Sequence, residues 1–207
     1  MMNCMAMPEV ISLCGQHVQL EPLRTSLVDE LLAAATQDRS SYTWTAVPDS
    51  AAGIRTYVDT LLADQRAGLV VPFAQRRVAD GQVVGCTRFM RIERWSGATT
   101  PDEVEIGGTW LAASAQRSAI NTEAKLLLLD FAFDAWNVHR VAICTDARNE
   151  RSRVAITRLG ATFEGVLRNH RASYVSGESG VPRDSALYSI TRADWPAIRA
   201  RLKERLT

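Results

Sequence analysis

Residues 104–136 constrain the fold more than any other part of the chain. A strand-like run through Glu105-Ile106-Gly107-Gly108-Thr109-Trp110-Leu111 feeds a short loop, and the spacing predicts a helix over 121–136. Along that helix Ala124, Leu127, Leu128, Phe131, Ala132 and Ala135 form one apolar stripe, and Leu126, Leu129, Phe133 and Trp136 form a second. A helix apolar on two sides has to be wedged into a core and held rigidly. Its first turn then presents N–H groups without intrahelical partners at the positive end of the helix dipole, which suits a pyrophosphate. Arg117 and Lys125 place positive charge nearby.

The flanking periodicities fill in the rest. Val18-Gln19-Leu20 alternates and ends at Glu21-Pro22, as a first strand does. Helices are expected over 27–35 and 51–67, the second closed by Gly68. Strands are expected over 72–78, 83–92 and 104–111, with the hairpin dipeptide Asp80-Gly81 between the first two. After the central helix come a strand over 140–145, a helix over 150–159, strands over 162–170 and 186–191, and a C-terminal helix over 193–206. A meander of strands followed by an αβαβ half is a mixed α/β (α+β) layered domain. It is not the alternating pattern of a dinucleotide-binding sheet, and GxGxxG is absent. No repeat or linker marks a second domain, so residues 1–207 are expected to form one unit, with 1–9 flexible.

Composition excludes several classes. The net charge of +1 is too small for a protein that depends on neutralising nucleic-acid phosphates. The most apolar run, Leu126 to Leu129, is flanked by Lys125 and Asp130, so no membrane span is expected, and Met1 to Pro8 does not resemble a signal peptide. Cys4, Cys14, Cys86 and Cys144 are scattered, three of them in strand-like surroundings, and read as reduced, small, buried side chains. No Cys/His cluster has metal-ligand spacing, so no metal is expected. The default is a cytoplasmic protein without membrane or nucleic-acid partners.

Three blocks carry a family resemblance. Gln116, Ala119 and Asn121 occupy the defining positions of the Gln/Arg-x-x-Gly-x-Gly/Ala loop of GNAT acyltransferases, both glycines being replaced. Asn149-Glu-Arg-Ser152 through Leu159-Gly160-Ala161, and Phe163-Glu164-Gly165, are similar to the family's next two blocks. The Asn-x-x-Ser form, Leu13-x-Gly15-x-x-Val18-x-Leu20-x-Pro22, and Arg183-Asp184 before Tyr188 resemble the branch of ribosomal-protein-alanine and -serine N-acetyltransferases. The resemblance implies a central, mostly antiparallel twisted sheet with helices on both faces. It implies acetyl transfer from acetyl-CoA to an amine, either a protein N-terminus or a small molecule. Homodimers are common in the family. The replaced glycines motivate an alternative, a non-catalytic acyl-CoA-binding regulatory module.

The same resemblance distributes roles. The backbone at Leu111 and Ala112 would meet the pantetheine arm, and Gln116, Arg117, Ser118, Ala119, Ile120, Asn121 and Thr122 would cradle the pyrophosphate. Asn149 would bond the pantetheine or simply cap its helix. Attack on a thioester needs a neutral amine, and amines titrate at about 8–10, so a base is required. Glu105 is the candidate, placed by strand alternation on one face with Gly107, Thr109 and Leu111; its plain alternative is a strand carboxylate paired with an arginine. Ile156 stands where many members carry a proton-donating tyrosine. Ser152 takes that role by resemblance to the ribosomal-protein branch, unless it only serves its helix start. Trp44 and His170 are the candidate acceptor contacts, whereas His17 and His139 read as structural.

Overall fold

The computed structural model describes residues 11–207. Residues 1–9, expected to be flexible, and Cys4 lie outside that range. The strands are β1 (Leu13–Cys14), β2 (Val18–Pro22), β3 (Val70–Arg77), β4 (Val83–Glu93), β5 (Glu103–Leu111), β6 (Arg140–Asp146), β7 (Thr162–Ala172) and β8 (Pro182–Thr191). The helices are α1 (Val28–Ala35), α2 (Ala51–Arg66), α3 (Ala119–Asp130), α4 (Glu150–Leu159) and α5 (Trp195–Glu204). The strands form one sheet in the order β1-β2-β3-β4-β5-β6-β8-β7. Every neighbouring pair is antiparallel except β5 and β6, which run parallel.

Helices cover both faces, and side-chain contacts show which. Thr87 and Thr109 meet Lys125 of α3, whereas the Trp110 ring meets Tyr42, from the α1–α2 linker, edge-on at 6.1 Å. Strand alternation therefore puts α3 on one face and the α1–α2 layer on the other. α5 joins the α3 layer, where Trp195 stacks on Phe133 at 5.4 Å.

The central helix is wedged as its apolar stripes require, but its ends differ from expectation. It starts at Ala119 because Ser118 caps it, the Ser118 Oγ accepting from the Ile120 N–H at 3.3 Å. Beyond Asp130 it loosens into a π-helical turn, Phe131–Ala135. There Phe131 and Trp136 pack at 4.9 Å, and Trp136 reaches Phe89 of β4 at 4.7 Å. At the other end the buried Glu123 carboxylate accepts N–H bonds from Gln16, His17 and Val18 at 2.8, 2.6 and 2.8 Å. A Cβ on Gly15 would sit 2.3 Å from the Glu123 Cδ, so only glycine lets the β1–β2 turn approach this closely. These contacts fix the first turn of α3 against the sheet.

Three expectations need correction. Lys125 adds no charge at the loop: it is 8% exposed, on the sheet-facing side of α3. Cys14 is exposed and Cys144 only part-buried, leaving Cys86 as the buried thiol among the three described. Thr109 does not share a face with Glu105. Cys86 opposes Trp110 while Arg88 opposes Gly107, so β5 advances three residues where β4 advances two. The extra residue makes a β-bulge, with Gly108 at φ +57°, and it reverses which residues face which side. Thr109 points to α3, and Glu105 and Trp110 point to the α1–α2 side.

Candidate active site

The bulge has a larger consequence. β5 and β6 pair only through Glu103–Arg140, Val104–Val141 and Glu105–Ala142. Beyond Glu105 the two strands splay, although β5 continues to Leu111 and β6 to Asp146. Two parallel strands that part in this way leave a gap through the middle of the sheet. Both strands run toward its open end, and each is followed there by the N-terminus of a helix, α3 after β5 and α4 after β6. A gap between two positive helix ends is suited to an extended, anionic ligand lying along strand edges.

At the mouth several expected contacts prove to be internal. Ala112 N–H donates to the Val84 carbonyl at 2.7 Å. The Leu111 carbonyl accepts from the Tyr42 hydroxyl at 3.0 Å and from Gln116 Nε2 at 2.9 Å. Gln116 also donates from Nε2 to Ser41 at 2.8 Å, and its Oε1 accepts from Arg151 Nη2 at 2.7 Å. Its own N–H bonds the Ala113 carbonyl at 3.2 Å. Gln116 thus joins the α3 loop to α4. Residues 117–121 form the end of the loop and the first turn of α3. Arg117 is exposed and takes the left-handed conformation, at φ +57°. Ala119 and Asn121 are helical, so neither needs the backbone freedom of the glycine it replaces. Main-chain N–H groups of this first helical turn lack intrahelical acceptors. Thr122 follows one turn in.

Across the mouth, Asn149 caps α4, its Oδ1 accepting from the Ser152 N–H at 3.0 Å. That is the plain reading of Asn149, and the cap also fixes Ser152 in the first turn of α4, half-buried.

The α1–α2 side of the sheet carries a different chemistry. Glu105 is 3% exposed, and Arg171 of β7 donates to both its oxygens at 2.9 and 2.5 Å. Arg91 Nε lies 3.7 Å away. The arginine-paired alternative is what the structure contains, with one guanidinium N–H on each Glu105 oxygen. Beside the pair, His170 Nδ1 lies 3.9 Å from Cys144 Sγ. Burial first, and then Arg171, pushes the His170 imidazole below its ordinary value, which keeps it neutral near pH 7. Burial pushes the Cys144 thiol up, which disfavours the thiolate.

Next to this cluster is a cleft of about 290 Å³ whose walls include Tyr57 of α2, Arg88, Gly108, Trp110 and Tyr174. The α1–α2 linker contributes Thr45 and Ala46 to it, and not Trp44. Trp44 instead lies under the Arg148 guanidinium, at 4.8 Å, pinning the linker to the β6–α4 loop. A more open groove of about 600 Å³ lies on α4, along Val154 and Tyr188, and includes none of these residues.

Comparison with known proteins decides what this arrangement is. Residues 17–162 match the acetyltransferase (GNAT) domain family. This chain belongs to the GNAT family. A GNAT relative, the Bacillus subtilis (strain 168) protein YdaF, provisionally named a ribosomal N-acetyltransferase, is 28% identical over 192 residues, 87% of this chain and 94% of its own. A GCN5-related N-acetyltransferase from Brucella melitensis superposes with a TM-score of 0.84 at 29% identity, covering 97% of this chain and 87% of that one. RimJ from Mycobacterium smegmatis, solved in complex with CoA-disulfide, shares the fold at a TM-score of 0.74 and 24% identity, over 91% of this chain and 88% of its own.

Sequence reasoning did not single out Arg88, which lines the cleft, or Arg171, which holds Glu105. Arg88 and Arg171 reach this face through strand pairing, Arg88 opposite Gly107 on β5 and Arg171 of β7 through its bonds to Glu105. The one available signal was the pair Gly107-Gly108, whose second glycine accommodates the bulge.

Proposed function

We propose that this GNAT acyltransferase moves an acetyl group from acetyl-CoA to an amine by direct attack in a ternary complex. The observation that carries the reading is the splayed β5–β6 gap, open between two capped helix starts. In it the main-chain N–H groups of 117–121 and the Arg117 side chain hold the pyrophosphate, with Asn121 and Thr122 lining the helix start. The pantetheine arm lies along β5 past Leu111, and Asn149 and Ser152 face it from α4. The acceptor amine enters from the α1–α2 side through the Arg88–Tyr174 cleft.

Proton removal rests on His170, which is neutral near pH 7 and sits on the acceptor face. Glu105 positions it indirectly by holding Arg171, the next residue on β7. Ser152 offers its hydroxyl proton to the departing thiolate. The acceptor is a protein N-terminus or a small amine, the first favoured by the ribosomal-protein names of several relatives. We further propose that the chain acts as one GNAT unit in the cytoplasm; among the described residues no helix is long and apolar enough to cross a membrane.

One observation favours a second reading, a non-catalytic acyl-CoA-binding module: Ile156 stands where many members of the family carry a proton-donating tyrosine. Thiol release from acetyl-CoA, measured with a panel of amines and N-terminal peptides, separates the two. The transfer reading expects amine-dependent release and an acetylated acceptor by mass spectrometry. Tight coenzyme A binding without release from any acceptor supports the module.

A further inference from the structure

The acceptor side of the sheet is unusually rich in guanidinium groups without acidic partners. Arg88 lines the 290 Å³ cleft. Its guanidinium lies over the bulge, with Cζ 2.4 Å from where a Cβ on Gly108 would be, and its Nε is buried with no hydrogen-bond partner. Arg183 of β8 is 7% exposed, yet its Nε is also buried and unpartnered. The Arg183 guanidinium lies under the Tyr174 ring, at 5.5 Å, and Tyr174 is itself a wall of the same cleft. Neither arginine forms an ion pair among the described residues. Arg171, which opposes Arg183 in the β7–β8 register, is already committed to Glu105.

A guanidinium taken out of water without a counter-ion is costly in a free protein, fully so for the buried Arg183 and in part for the half-buried Arg88. The cost is recovered when a ligand brings the missing anion, and the planar fork of arginine is matched to a carboxylate. The cleft is near the lower end of the volumes that hold small ligands, enough for one amino-acid-sized group. Asp64 of α2 is the one carboxylate in its walls. It disfavours an anion beside α2 and leaves the Arg88–Tyr174 wall as the place for one.

We infer that the acceptor carries a carboxylate close to its amine, received by Arg88, with Arg183 behind Tyr174 adding charge. The inference rests on the acetyl-transfer reading and names its substrate class. The chemistry is shared by a free acidic amino acid and by a peptide whose first residues are acidic, so both belong in the test.

The experiment compares matched pairs on the wild-type protein: aspartate against asparagine, glutamate against glutamine, and tetrapeptides beginning with each. Thiol release gives kcat/KM, and calorimetry in the presence of coenzyme A gives acceptor affinity. The carboxylate member of a pair is expected to be preferred at least tenfold. Preference among free amino acids assigns a small-molecule acceptor, and preference among peptides alone assigns a protein N-terminus. Arg88→Gln is expected to reduce the preference to near unity and to leave coenzyme A binding unchanged, with Arg88→Lys intermediate. Equal kcat/KM for acid and amide on the wild type overturns the inference while leaving acetyl transfer intact. Absence of thiol release from every amine instead refutes the transfer reading. Calorimetry then still decides the carboxylate preference: equal affinities, or no binding of either member, overturn it.

Discussion

On the α3–α4 side of the β5–β6 gap the chemistry is carried by main-chain groups at two helix starts, whereas on the α1–α2 side it is carried by long side chains from several strands. The first arrangement is local. Ser118 and Asn149 each cap the helix that follows them, and the donors they organise lie within a few residues. The second is assembled across the chain, since Glu105 meets a guanidinium 66 residues away. What separates the two is sequence distance: neighbours within a turn on one side, strand pairings on the other. Main-chain sites depend little on side-chain identity. Side-chain sites are specific but depend on register.

Four substitutions test that contrast, and the largest effect belongs to a residue behind the bulge. Lys125 Nζ donates to Thr109 at 2.6 Å, among the described residues it has no carboxylate within ion-pair distance, and burial pushes its pKa down to about 7. Its folded value lies below the unfolded one, so between the two the unfolded chain holds the extra proton. Stability should therefore rise with pH from about 7 toward the ordinary lysine range. Lys125→Met removes that slope and should raise stability at or below pH 7 by on the order of 4 kcal/mol, less the lost hydrogen bonds. Thr87 and Thr109 are left bonded to each other, at 2.8 Å. Urea unfolding at several pH values reads both effects.

Gly108→Val is next. It forces a β-branched residue to φ +57° and drives its Cβ into the Arg88 guanidinium. The expected cost is about 2–3 kcal/mol, with a raised KM for acceptor and an unchanged affinity for coenzyme A. A protein whose acceptor KM is unaffected would detach the bulge from the acceptor side.

His170→Gln should lower kcat/KM about a hundredfold, the usual weight of a positioned base. In the pH profile the limb from imidazole protonation, which lies below 6.5, should vanish, while the limb of the acceptor amine above it persists. Glu105→Gln with the larger loss and His170→Gln with none would return the base role to Glu105.

Asn149→Ala should have the smallest effect, about 1 kcal/mol for the lost cap. The change should weaken coenzyme A binding modestly and leave the carboxylate preference untouched.

The same contrast governs what could be read from sequence. The wedge helix announces itself through two apolar stripes, and the Asn149 cap and the Leu159-Gly160 stop are local signals. Even so, the apolar stripes predict a start at 121, two residues past the observed one, because periodicity marks the buried face of a helix and not its first turn. Alternation puts Glu105 and Thr109 on one face because it cannot reveal an inserted residue. The Arg171 partner of Glu105, the unpaired Arg88 and Arg183, and the solvent-free setting of Lys125 all depend on pairings between distant strands. No local pattern encodes them.

The central claim is that the gap between β5 and β6 is the acyl-carrier site, and a crystal structure of the complex with coenzyme A tests it most directly. The account predicts the pyrophosphate within hydrogen-bond reach of the N–H groups of 117–121, and the sulfur between the splayed strands on the side of His170. A ligand bound instead in the outer groove beside Val154 and Tyr188, with the gap empty, would contradict it.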